Sequence, residues 1–219
     1  MRYLTVVVGL SLIILPPSAR GIEPGVRLRA GPSVLKLLGS VGDKVDVGGA
    51  DLTIGAGGFL DVSYRFQDTF SAGFRWTWHS LGVSGHDQSS YDSASFQDLL
   101  FVTTLFFNPD EDTRPFANVG LGMSWLGWRY REPYPPFPEE PDFVLNDDRR
   151  RATMFMFGGG AEVGFGDRWE FTPALQLALH GWSDHTFQGV PQVNPEEESQ
   201  TVAPTTLSLE LALGLARRF

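Results

Sequence analysis

The chain has 219 residues, 17 basic and 26 acidic, with 25 glycines, 17 phenylalanines, six tryptophans and no cysteine. A formal charge of −9 argues against nucleic acid as a partner, because phosphate backbones are met by basic patches. The missing cysteine excludes a disulfide framework and a lipid anchor on cysteine.

The first element is an export signal. Arg2 supplies a positive start, Tyr3 to Leu15 is apolar, Pro16-Pro17 ends any helix, and Ala19-Arg20-Gly21 puts small residues where a signal peptidase reads them. Thirteen apolar residues fall short of the ~20 that span a bilayer as a helix. The expectation is cleavage of residues 1–21, leaving a single domain over residues 22–219. With Arg2 and Arg20 removed, 15 basic residues face 26 acidic ones, a charge of −11.

From there the chain alternates apolar and polar residues in eight runs: Gly25–Leu37, Asp51–Phe66, Phe70–Leu81, Phe96–Phe107, Pro115–Tyr130, Ala152–Phe165, Trp169–Trp182 and Thr205–Phe219. Period-2 alternation bounded by turn residues predicts strands. Three connections are short and rich in turn residues: Gln67-Asp68-Thr69, Asn108 to Arg114, and Gly166-Asp167-Arg168. The other four, Leu38–Ala50, Gly82–Ser95, Arg131–Arg151 and Ser183–Pro204, are long. Successive connections of an up-and-down barrel fall at opposite ends, and bacterial outer-membrane barrels keep periplasmic turns short and outward loops long. The predicted fold is therefore all-β: an eight-stranded antiparallel up-and-down transmembrane barrel with both termini on the periplasmic side.

The two faces of each strand say which solvent lies where. In the last strand Leu207, Leu209, Leu211, Leu213 and Leu215 alternate with Ser208, Glu210, Ala212, Gly214, Ala216 and Arg218. Phe70, Phe74, Trp76 and Trp78 alternate with Ser71, Gly73, Arg75, Thr77 and His79. Long apolar and aromatic residues suit a lipid-facing band, while charges mixed with glycine and alanine suit a cramped lumen. Trp76, Trp78, Trp125, Trp128 and Trp182 stand near the long loops. Phe66, Phe70, Phe107, Phe116, Phe165, Trp169 and Phe219 stand near the short turns. Two such bands read as the aromatic girdles of a membrane barrel.

On this topology and its C-terminal strand the chain, from Ile22 to Phe219, resembles the small eight-stranded outer-membrane proteins, the family of the OmpA transmembrane domain, OmpX and the opacity-type proteins. The resemblance implies a Gram-negative outer membrane and contact with its lipid and lipopolysaccharide. It also implies that the terminal Phe219, in an alternating apolar strand, is a signal for the barrel-assembly machinery. Arg217 departs from the apolar or aromatic residue usual there.

The polar phase gathers Arg27, Arg29, Asp61, Arg65, Arg75, Glu162, Glu170, Glu210 and Arg218 as a predicted lumen charge network. Charges at that depth must be paired or wetted. Arg29 and Glu210, on the first and last strands, are the expected partners. His79, His86, His180 and His185 repeat no metal-ligand spacing, so neither metal nor cofactor is expected. Gly158-Gly159-Gly160 precedes no helix, so it reads as strand curvature instead of a phosphate loop. Arg149-Arg150-Arg151 stands where the chain re-enters the membrane and can meet lipopolysaccharide phosphates, or be a solvated charge run. The loop aromatics Tyr134, Phe137 and Phe143 offer a recognition surface.

The expected function is structural or adhesive, exercised through the outward loops over a plugged lumen. A narrow solute pore is one alternative. The other is a lipid A acyl hydrolase or transferase, for which His79-Ser80 and His180 with Ser183 are the candidate pairs. No catalytic residue is assigned, and the oligomeric state is left open.

Overall fold

Strand after strand, the alternation turns apolar side chains outward and small or charged ones inward. The computed structural model describes residues 24–38, 50–85, 91–108, 111–134, 145–165, 168–182, 186–187 and 205–219. They hold β1 (Gly25–Leu38), β2 (Ala50–Gln67), β3 (Phe70–Gly85), β4 (Tyr91–Phe106), β5 (Thr113–Tyr134), β6 (Leu145–Phe165), β7 (Trp169–Trp182), β8 (Thr186–Phe187) and β9 (Thr205–Arg218). Consecutive strands from β1 to β7 pair antiparallel, β7 pairs with β9, and β9 pairs with β1 to close an eight-stranded barrel. The two-residue β8 lies outside the ring, on the loop end of β6.

The wall is sheared. From Arg27, successive Cα partners are Ser63, Gly73, Val102, Gly120, Met156, Ala178 and Ser208, and the circuit returns to β1 at Leu37, ten residues past its start. At roughly 3.3 Å per residue and 4.8 Å between strands, that stagger tilts the strands by about 40°. Eight strands at such a tilt leave an interior that side chains fill.

Strand boundaries at the short turns fall within two residues of the expected ones, while at the loop ends β4, β5 and β6 run further than the alternation does. Trp128 pairs with Asp148, Arg129 with Asp147 and Tyr134 with Leu145. Beyond the bilayer both faces of a hairpin meet water, so nothing selects apolar residues at every second position and the period-2 signal vanishes. The short turn at 107–112 is held by Glu111 N–H donating to the Asn108 carbonyl at 3.2 Å, with Asn108 at φ 50°, a conformation asparagine tolerates better than most residues. The glycine run of β6 lets it approach β7: a Cβ on Gly160 would lie 2.1 Å from the Pro173 carbonyl oxygen.

Outward residues form an apolar skin. On β3, Phe74, Trp76 and Trp78 are exposed while Arg75, Thr77 and His79 are buried. On the β4 side, Phe107, Leu105, Phe101 and Leu99 give way to Gln97 and Ser95 toward the loops. Phe107 to Leu99 spans about 20 Å along the barrel axis at that tilt, comparable with the ~25 Å band of outer-membrane barrels. Phe66, Phe70, Phe107, Phe165, Trp169 and Phe219 are exposed at the short-turn end, and Trp76 and Trp78 toward the loops. Two expected girdle residues turn inward instead. Phe116 is buried against Phe106, and Trp182 stacks on His180, because both share the even-numbered lumen phase of their strands. The Trp128 side chain lies outside the described residues, as do the signal segment and most of the long connections.

Candidate functional site in the barrel lumen

The lumen is organised in three storeys. Nearest the short turns, Glu162 and Glu170 are fully buried among three guanidinium groups. Arg27 pairs with Glu162 and, at 2.9 Å, with Glu170. Arg65 donates to Glu162 at 3.0 Å, and its guanidinium lies 4.0 Å from the Phe106 ring centroid. Arg114 pairs with Glu170 and lies 3.4 Å from Glu162. Stripping water from one such charge costs several kcal/mol, so each depends on its neighbours.

At mid-height Arg29 donates to Asp61 at 2.7 Å and Arg75 to Glu210 at 3.0 Å. Phe59 lies between the two cations, 5.7 Å from Arg29 and 4.2 Å from Arg75. The Gln176 amide closes the bridge in the orientation that satisfies both neighbours, its nitrogen turned to donate to Glu210 Oε2 (3.1 Å) and its oxygen to accept from Arg75 Nη1 (2.9 Å). The expected Arg29–Glu210 pair does not form. Arg29 stands beside Ala216 on β9 while Glu210 stands beside Leu35, because the shear offsets the two strands where the barrel closes. Arg29 instead takes Asp61, directly opposite on β2.

The upper storey is a polar layer under an apolar roof. Ser33 Oγ and His79 Nε2 are 2.8 Å apart, and Thr77 donates to Asp98 at 3.1 Å. His180 lies between Ser124 Oγ (2.9 Å from Nδ1) and Ser208 Oγ (2.7 Å from Nε2). Above them Leu35, Leu37, Leu52, Leu81, Phe96 and Leu126 point inward, none more than 6 % exposed. Phe96 meets the His180 ring edge-on at 5.3 Å, and Trp182 Nε1 donates to Thr206 at 2.8 Å.

Eight of the nine predicted network residues thus stand buried in the lumen, in the two lower storeys. The ninth, Arg218, is the β9 partner of Arg27 in register, and its side chain lies outside the described residues. Phe219 follows β9 with its N–H donating to the Val26 carbonyl at 3.0 Å and its ring exposed. Sequence reading missed Arg114, counted as turn, and Asp98, which stands in the expected strand Phe96–Phe107 just before its apolar stretch from Leu99. Phase was the available signal. Arg114 is in step with Phe116 and Asn118, and Asp98 with Phe96 and Leu100, all of them buried.

The remaining candidates separate. His79 is buried and Ser80 exposed, since adjacent strand residues face opposite ways, so they form no dyad. Ser183, His86, His185, Phe137 and Phe143 lie outside the described residues, as do the side chains of Tyr134, Arg149 and Arg150. Arg151 is exposed, opposite Trp125. Among the described residues no group of three or more His, Asp or Glu side chains is placed to hold a metal ion.

No protein-family model and no curated protein matches the sequence. The fold has solved counterparts. Neisserial surface protein A, from Neisseria, superposes with a TM-score of 0.61 at 11 % identity, over 89 % of this chain and 97 % of that one. The attachment invasion locus protein Ail of Yersinia pestis superposes at 0.51 with 11 % identity, over 90 % and 100 %. A second Ail structure, in complex with the heparin analogue sucrose octasulfate, gives 0.52 at 12 % identity, again over 90 % and 100 %. The fold is that of the small eight-stranded outer-membrane barrels.

Proposed function

We propose that the chain is an integral outer-membrane barrel that is closed to solutes and serves as a rigid base for its outward loops in surface interaction. The observation behind the closed reading is the double seal: ion pairs that cross the lumen at two heights, roofed by inward leucines and Phe96. A conducting pore needs a continuous wet path, and paired charges spanning an eight-stranded interior leave little width for one. Two structural counterparts are called a surface protein and an attachment invasion protein, which supports looking to the loops for the activity.

A lipid-modifying hydrolase gains little from the lumen. Ser124 and Ser208, on either side of His180, are buried under Phe96 and Trp182, where an acyl ester has no approach. Contact with the barrel-assembly machinery through Phe219, and with outer-membrane lipid along the apolar skin, belongs to the same proposal.

The test is single-channel recording of the refolded chain in a planar bilayer. The expected result is a silent membrane with brief, rare openings. A large, stable conductance refutes the seal and makes the narrow pore the better reading.

A further inference from the structure

The lower storey of the lumen holds more positive charge and more hydrogen-bond donors than its two carboxylates can meet. Arg27, Arg65 and Arg114, none more than 4 % exposed, share the fully buried Glu162 and Glu170. Asp68, in the turn beneath, is not among their ion-pair partners. One positive charge is thus left over in a buried compartment, where a charge without a counterion is unfavourable.

The donors lean the same way. Three guanidinium groups carry about fifteen N–H donors, whereas two carboxylates accept about eight hydrogen bonds. Arg65 donates to Glu162 through Nη2 and lies over the Phe106 ring. Its Nη1 and Nε have no acceptor among the described residues, and neither do the Nε groups of Arg27 and Arg114.

The compartment is shut on one side and open on the other. Phe116 follows Arg114 on β5 and Ala174 follows Glu170 on β7, both toward mid-height, and with Phe106 they form an apolar cluster. Toward the short turns stands Gly164, in the inward phase beside Glu162 and the Cα partner of Glu170. A Cβ at Gly164 would meet, among the described residues, only the Asp112 carbonyl oxygen, at 3.6 Å. The missing side chain leaves room at the turn end of the storey.

We infer that this compartment is a site for one small monovalent anion of the halide class, entering from the short-turn end and held by the free N–H groups of Arg65. Such an ion matches the left-over charge and accepts hydrogen bonds without donating any. Water accepts but also donates, and leaves the charge as it is. A sulfate dianion reverses the sign of the imbalance. The inference goes beyond the closed lumen by making a counterion part of the plug, and it is independent of what the loops meet.

The test uses the full refolded chain. Crystals grown in sodium bromide and measured at the bromine absorption edge are expected to show an anomalous peak in contact with the Arg65 guanidinium. Urea unfolding in detergent micelles is then compared in chloride and in gluconate at equal ionic strength. Chloride is expected to raise the folding equilibrium constant about tenfold, as a ligand at roughly ten times its dissociation constant does. Arg65→Gln leaves two charges of each sign and abolishes both the peak and the chloride dependence. Lys36→Gln, at an exposed position of β1, keeps both. Heat-modifiable migration checks that each variant folds, and the unmutated chain is decisive by itself. Absence of the peak at Arg65, or equal stability in chloride and gluconate, overturns the site. A bromide peak without chloride dependence marks an adventitious ion only and overturns it too. So does a folded Arg65→Gln that keeps the full chloride effect, or sulfate stabilising as strongly as chloride.

Discussion

Arg75 and Glu210 meet across the lumen, Nη2 to Oε1 at 3.0 Å, although β1 and β2 stand between their strands in the wall. The pair braces two parts of the ring that share no backbone hydrogen bonds, and Gln176 adds a third strand to the brace.

Glu210→Ala is therefore expected to do two things at once. It leaves Arg75 buried without its carboxylate, a loss on the order of 3–5 kcal/mol that water entering the lumen softens. It also removes the carboxylate end of the bridge that crosses the lumen at mid-height. Urea unfolding in detergent micelles should show a lower midpoint, and planar-bilayer recording more frequent openings. A variant with unchanged stability and an equally silent membrane counts against the brace.

The lower storey has a sign asymmetry. Three arginines, Arg27, Arg65 and Arg114, surround two glutamates, and Glu162 is within ion-pair distance of all three. Neutralising Glu162 as Gln leaves three cations with one carboxylate, whereas Arg65→Gln leaves two of each. Glu162→Gln is expected to be the more destabilising by a few kcal/mol, because unpaired buried charge is what costs. Equilibrium unfolding of the two variants side by side checks the order, and the reverse order would show that Arg65 carries more than its pairing with Glu162 and its stacking on Phe106 suggest.

Phe96 is fully buried in the roof, edge-on to His180. Phe96→Ala removes a large interior side chain, with a typical cost of about 3–5 kcal/mol, and opens the upper seal while leaving the ion pairs intact. Conductance should rise only slightly, since the mid-height pairs still close the path. The double variant Phe96→Ala with Glu210→Ala should conduct more than the two single variants added together. Simple additivity of the openings would mean that the storeys do not act in series.

Orientation is tested from outside. Protease added to intact cells should cut within residues 135–144 or 188–204 and spare the turn at Asp68–Thr69. Cleavage confined to the short turns, read by mass spectrometry of the fragments, would reverse the barrel.

Alternation along TTLSLELALGLARRF and the tryptophan-rich β3 was enough to read strand, face and solvent from sequence, because the period-2 pattern is local and each residue carries its own side of the sheet. The alternation of short and long connections added the topology. Partners were another matter. Arg29 and Glu210 lie on strands that do meet, yet the ten-residue shear sets them apart and gives Arg29 to Asp61 and Glu210 to Arg75. Arg114 stayed hidden because it was counted with the turn, and Asp98 because β4 carries apolar residues on both faces, which blurred the phase that would have placed it. The long β5–β6 hairpin likewise depended on neighbours far along the chain, whereas the inward turn of Trp182 follows from its phase with His180 and Ala178 and was legible in the strand itself. Strand identity comes from residues two apart; which charge meets which is set only when the closed ring fixes its stagger and brings strands from opposite ends of the sequence to the same height.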